Sequence, residues 1–396
     1  MLLSAACCSD AQRMAEPRHD ATVVDAGVQP TAIEWSSTSA RLEPDGRTEP
    51  VAFDARDTPA VLGVRAYAES TAVSSTLCFQ LEDVVVAGDQ TWVPTAAPRD
   101  YDDYCETCAQ RVGAGAGYGF FGLPSGAEPP IALGEVHLRV ALRDCLLLTP
   151  LDASAARPGE LRVDYAAWRA PASEQELRLR LRVVNASRHA LADDPQLLER
   201  ALVLVREIWA PAAIELSFAD VIEIDPEPGP LRYSAEDRRS LVALGARAQE
   251  ASAAEADWPL LVIAPCLQRD DVLTGGKTEP RALSSHGLGG YAVHGETDAM
   301  FVAGERCGGL TPAPEFFEEG TLAAIIAHEL GHYLGLYHVA ESDGRQDRLV
   351  DTSPEQPNLM RAVPSAAATE LSRSQIEIAR RHMLFASGRM IETHPL

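Results

Sequence analysis

The distribution of apolar and polar positions divides the chain in two. Between residues 50 and 165 apolar positions come in short runs, Val61 to Tyr67, Leu77 to Val86 and Val136 to Leu142, broken by glycine, proline and polar residues. Such runs predict the strands of a β-sandwich-like domain over residues 49–165. After a stretch containing Ala, Pro and Ser (Pro150 to Glu174) the pattern changes. Leu177, Leu179, Leu181 and Val183 alternate with arginine, predicting a strand exposed on one face. Asp194-Pro195 opens an amphipathic helix to about Trp209, with the acid on its N-cap side and proline at its first position. Ile214 to Ile224 reads as a strand, Ser240 to Ala254 as a helix and Trp258 to Ala264 as a buried strand. That order predicts an α/β unit with right-handed crossovers over residues 175–392. Two short strands are expected around Gly289 to Val302, and an exposed edge there is a candidate for holding an extended peptide. Residues 1–48, rich in Pro, Ser, Asp and Thr, read as a flexible leader. The expected fold class is therefore α+β and multidomain.

From Thr321 the chain runs TLAAIIAHELGHYLGLYH, where Leu322, Ile325, Ile326 and Leu330 form a helical apolar face. On that helix His328 and His332 lie four apart, so both imidazoles project from one side. Two nitrogens so held match two corners of a tetrahedral zinc site. Gly335 stands where the helix must stop, since glycine tolerates the left-handed turn that ends it. The chain can then swing back and offer His338, leaving one position open, as a single catalytic Zn2+ ion requires. Glu329, beside the first histidine, can act as general base on a metal-activated water. With His at 10 and Gly at 28 of 396 residues, a chance match to this pattern is on the order of a few in 100,000.

The pattern His328-Glu329-x-x-His332-x-x-Gly335-x-x-His338 resembles the signature of the metzincins, a clan of zinc endopeptidases. The resemblance implies a protein or peptide substrate, cleaved at internal bonds. It also implies a methionine turn beneath the zinc, for which Asn358-Leu359-Met360 supplies Met360, a packing residue and not a ligand. Leu371-Ser372 and Ser374-Gln375 then open a final helix through about Met383, which also suits the clan. Asp347-x-x-x-Asp351-Thr352 before Asn358-x-Met360 is most similar to the pappalysin group. The chain departs from many metzincins at Ala362, where they carry a tyrosine that supports the transition state.

Charge and cysteines refine this picture. A formal net charge of −24 argues against nucleic acid as a partner, because phosphate binding needs a basic face. No apolar run is long enough to predict a transmembrane helix. Small residues before Cys7 and Cys8 resemble the end of a bacterial lipoprotein signal, though the apolar stretch is short. Two readings stand: a clipped signal with a lipid anchor at Cys7 or Cys8, or a disordered tail. Six further cysteines suit an exported, disulfide-bonded bacterial protein. Cys105 and Cys108 lack a second close pair for zinc and point to disulfides with Cys78 or Cys145. Arg306-Cys307-Gly308 is similar to the thiolate plug of some metzincin prosegments, but a Cys266–Cys307 disulfide is the favoured reading.

The remaining signals are weaker. Gly117-Tyr118-Gly119-Phe120-Phe121-Gly122 fits a dinucleotide fingerprint only formally and reads as a loop of the β domain. The acidic residues Glu341, Asp343, Asp347 and Asp351 are a weak candidate for Ca2+, without the spacing of a known loop. His286 and His294 flank a Gly-rich stretch before the motif, and Asn185-Ala186-Ser187 forms a glycosylation sequon. Beside the peptidase reading stand a non-enzymatic exported surface protein with a structural zinc site, and a latent enzyme whose N-terminal region covers the cleft until it is cut.

Overall fold

The computed structural model of the chain describes residues 35–68, 77–88, 90–93, 115–116, 118–126, 130–144, 151, 159–187, 194, 196–225, 230–233, 239–255, 258–270, 277–278, 282–284, 299–307, 315–340, 346–347, 349–386 and 394–395. The first eight strands are β1 (Ser36–Arg41), β2 (Val51–Tyr67), β3 (Leu77–Val86), β4 (Gln90–Val93), β5 (Gly115–Ala116), β6 (Tyr118–Leu123), β7 (Ile131–Asp144) and β8 (Glu160–Trp168). They form an antiparallel system in the order β1-β8-β2-β7-β3-β4, with β5 added on β3 and β6 on β2. Strand β2 serves two sets of partners: Val51 to Ala60 pairs with β7, and Val61 to Tyr67 with β8 and, from Leu62, with β6. Its register on β7 shifts between Ala55 and Pro59, and an irregularity of this kind bends a strand from one set to the other. The core between them is apolar, with Phe53 of β2 stacked on Tyr165 of β8 at 4.1 Å between ring centroids.

Two expectations change here. Strand β1 lies inside the stretch read as leader, yet it pairs with β8 along its whole length. The glycine-rich segment is not a loop: Tyr118–Leu123 is strand β6, and no helix follows it through Gly126. Without a helix N-terminus there is nothing to receive a pyrophosphate. Cys7 and Cys8 lie outside the described residues.

The rest of the chain supplies β9 (Leu177–Asn185), α1 (Leu197–Trp209), β10 (Ile214–Phe218), β11 (Ile222–Glu223), β12 (Leu231–Tyr233), α2 (Arg239–Ala251), β13 (Leu260–Ala264), β14 (Leu267–Asp270) and β15 (Lys277–Thr278). There follow β16 (Ala282–Ser284), β17 (Ala299–Ala303), β18 (Glu305–Arg306), β19 (Glu315–Phe316), α3 (Glu319–Tyr333), α4 (Arg373–Arg380) and β20 (His394–Pro395), which returns to pair with β2. The main sheet here runs β10-β9-β13-β17-β16, parallel except for β16 at one end. The whole is a mixed α+β fold, mostly sheet with few helices.

Strand β9 corrects the reading of an exposed face. Arg178 and Arg180 reach solvent, but Arg182 is buried. Its guanidinium donates to the Trp258 carbonyl at 2.6 Å, the Ser252 hydroxyl at 3.1 Å and the Gln249 side chain at 3.1 Å. A period-two pattern cannot tell an open face from one roofed by a segment carrying acceptors. The run read from Ile214 to Ile224 is split into β10 and β11, both parallel to β9. Val302 belongs to the interior strand β17, so the sheet edge is Ala282–Ser284; residues 285–298, with His286 and His294, lie outside the described residues.

Cys266 and Cys307 form the expected disulfide. Cys78 is also disulfide-bonded, while Cys105, Cys108 and Cys145 lie outside the described residues. The Asn185 side-chain amide is buried and donates to both Glu223 carboxylate oxygens (3.0 and 2.9 Å), so the fold consumes the sequon's acceptor nitrogen. Among the described residues no helix is long and apolar enough to cross a membrane.

Candidate metal centre

Helix α3 carries the histidine motif and is buried from Leu322 to Gly331. Its outer face is covered by α1, where Trp209 donates its indole N–H to the Ala327 carbonyl at 3.3 Å. Arg200 of α1 pairs with Glu319 in the first turn of α3 at 2.5 Å, fixing the helix at its start. The helix ends as its glycine predicts. Gly335 adopts φ +92°, its N–H donates to the His332 carbonyl at 2.9 Å, and the Leu336 N–H donates to the Gly331 carbonyl at 2.8 Å. This pair of bonds is the Schellman cap, whose left-handed residue reverses the chain. The reversal brings His338 back to the face that carries His328 and His332.

The three imidazoles converge through their Nε2 atoms. His332 and His338 are 3.1 Å apart there, and His338 and His328 are 3.3 Å apart. A tetrahedral zinc with bonds of about 2.05 Å needs ligand nitrogens about 3.3 Å from one another, so the set fits the ion. Among the described residues these three form the group of side chains able to hold a metal.

Two of the rings are oriented from behind. His328 donates its Nδ1–H to the Leu359 carbonyl at 2.8 Å, and His332 donates its own to the Leu336 carbonyl at 2.8 Å. A carbonyl only accepts, so each Nδ1 carries the proton and each Nε2 lone pair faces inward, as a metal ligand requires. Glu329 follows His328 on the same helix and is buried with it.

Met360 is fully buried, and its sulfur and methyl lie against Gly331 of α3. The Val339 N–H donates to the Met360 carbonyl at 2.8 Å, tying the chain just past His338 to this turn. Ala362 is half-buried and offers no hydroxyl. Helix α4 is shorter than the sequence suggests, but it opens with a reciprocal cap between Ser372 and Gln375. Asp351 adds a second acceptor there, taking the Ser374 N–H at 2.9 Å. Burial opposes its ionisation, but bonds from the Ser374 N–H and the Ser374 and Ser372 hydroxyls outweigh this and hold the carboxyl below its ordinary range. Asp351 thus serves as a helix cap; Glu341 and Asp343 lie outside the described residues. The features missed from sequence are Trp209 and the carbonyls of Leu336 and Leu359. A backbone carbonyl leaves no residue-type signal, and a tryptophan on an amphipathic helix looks like any core residue.

No family model matches the chain, and no curated protein matches it in sequence. Among solved structures it is similar to metalloproteinase-II from Bacteroides fragilis, at 12% identity and a TM-score of 0.34 over 57% of this chain. The match spans 63% of that structure, less than two thirds of its length.

Proposed function

We propose that this chain is a zinc-dependent endopeptidase of the metzincin type, hydrolysing internal peptide bonds of proteins. The observation that carries the reading is the convergence of three Nε2 atoms at zinc-ligand spacing beside a buried glutamate. His328, His332 and His338 would hold one zinc ion. Zinc bound by three imidazoles acts as a Lewis acid and brings the pKa of water to about 7. Glu329 is the general base: its carboxylate takes the proton of the attacking water and hands it to the leaving amine. A structural zinc site closes with four protein ligands and needs no base. Here the described group has three, which favours the catalytic reading over the surface-binding one.

The edge strand β16 packs on α3 and is the proposed pairing partner for an extended substrate. The disulfides at Cys78 and between Cys266 and Cys307 support an exported protein.

The deciding experiment measures zinc content and cleavage of casein or a quenched peptide for the wild type beside Glu329→Ala. One zinc in each protein, with cleavage by the wild type alone, is the expected result. Zinc in both with no cleavage by either would leave latency or a binding role, and cleavage by a chain starting near Ser173 would decide between them. Absence of zinc from the wild type would refute the metal centre.

A further inference from the structure

The peptide unit between Leu359 and Met360 is held at both ends. Its carbonyl accepts the His328 Nδ1–H at 2.8 Å, and its N–H donates to Asn358 Oδ1 at 2.8 Å. A peptide is planar, so fixing the N–H fixes the direction of the carbonyl. Asn358 is held in turn by a side chain of α4. Its Nδ2 donates to Gln375 Oε1 at 2.8 Å, and its Oδ1 accepts from Gln375 Nε2 at 3.1 Å. Gln375 Oε1 also accepts the Ser372 N–H at 2.9 Å. Both amides are buried. The N–H groups of Met360 and Ser372 each demand an oxygen, so neither amide can flip without stranding a buried donor.

We propose that Gln375 is a positioning residue for the metal centre, setting the His328 imidazole through Asn358 and the Leu359–Met360 peptide. The inference rests on the reading of His328 as a zinc ligand. A ligating imidazole is aimed by the acceptor on its other nitrogen, and removing such outer partners lowers metal affinity about 10- to 100-fold. Gln375 touches neither the ion nor a substrate. Its effect is exerted on the direction of one carbonyl. The competing account gives Gln375 only the capping of α4.

Substitutions at two positions separate these accounts, made in the full chain. Gln375→Met removes both the cap bond and the pair with Asn358. Gln375→Glu keeps an acceptor for the Ser372 N–H but sets an oxygen against Asn358 Oδ1, so it spares the cap and breaks the relay. Ser372→Ala removes the hydroxyl side of the cap and leaves the amide pair intact. Zinc affinity is read by chelator competition, the Co2+-substituted site by its visible bands, and the metal-free fold by thermal melting.

Both Gln375 variants are expected to bind zinc about tenfold or more weakly and to shift the cobalt bands. Ser372→Ala should lower the melting temperature alone. If Gln375→Met does not fold, Gln375→Glu decides. Wild-type zinc affinity and cobalt bands in Gln375→Glu would overturn the proposal. An equal loss of affinity in Ser372→Ala would also overturn it, because the helix cap would then account for the effect. A wild type that binds neither metal would overturn the metal-centre reading itself, a result distinct from either of these.

Discussion

The sulfur of Met360 fills the space that a β-carbon at Gly331 would need. Gly331 sits inside α3, where alanine would ordinarily favour the helix by about 1 kcal/mol. Its absence is explained by the turn beneath. Met360 is fully buried, with its N–H bound to Asn358 and its carbonyl bound to the Val339 N–H. These bonds hold its backbone, beside the Leu359 carbonyl that aims His328, so the flexible end of the buried side chain must take up the clash. Overpacking of this kind costs about 1–3 kcal/mol, which outweighs the helix gain. Gly331→Ala should therefore lose about 1 kcal/mol of stability by denaturant melting and weaken zinc binding. Undiminished stability and affinity would mean that the Met360 side chain can repack freely.

The N-terminal sheet is fastened to α4 at the end opposite the Met360 turn. Trp168 donates its indole N–H to the Arg381 carbonyl at 2.9 Å, and Arg381 donates to the Gly126 carbonyl at 3.1 Å. Val61, Trp168 and Met383 pack together there with Trp35 and Phe120. Arg380 binds the carbonyls of Ala172, Gln175 and Ala212, all in or near the segment between the two sheets. Trp168→Phe would remove this buried hydrogen bond, at a cost of about 0.5–1.5 kcal/mol read as a lower melting temperature. A chain starting near Ser173 would expose Met383 and should be less stable and no more active than the full chain. A gain in peptide cleavage on truncation would favour latency instead.

Asp351 gives stability a defined acid dependence. Its carboxyl lies below the ordinary value of 3.8 in the folded chain, so ionisation favours folding. That contribution is fully present above the unfolded value and is lost as pH falls through the folded one. Asp351→Asn keeps an acceptor for the Ser374 N–H but removes the charge at the helix N-terminus, worth about 0.3–1 kcal/mol. The metal-free variant should melt below the metal-free wild type near neutral pH, and the two curves should meet below the ordinary carboxyl value of 3.8. A gap that persists in acid would show that charge is not the cause.

Much of the centre is legible in the order of residues alone. The spacing of His328 and His332 sets both on one helical face, and Gly335 marks the reversal that returns His338. Ser372 and Gln375, three apart before an apolar run, mark the start of α4. These signals are local: each depends on residues within a turn or two of one another, where backbone geometry alone determines who meets whom. Strands Leu77–Val86 and Leu260–Ala264 are readable for the same reason, since apolar runs bounded by turn residues report burial directly.

Tertiary structure decided what lies between distant segments. It chose Leu359, 31 residues from His328, as the acceptor that aims the ring, and Gln375, 17 residues from Asn358, as that side chain's partner. It set Met360 against Gly331 and buried Arg182 beneath the segment after α2. Residue types at single positions carry no record of these pairings. They arise when packing brings surfaces together and every buried donor must find an acceptor. The sequence by itself determined which atoms are able to bind a metal, and only the folded chain decided which carbonyls and amides hold them in place.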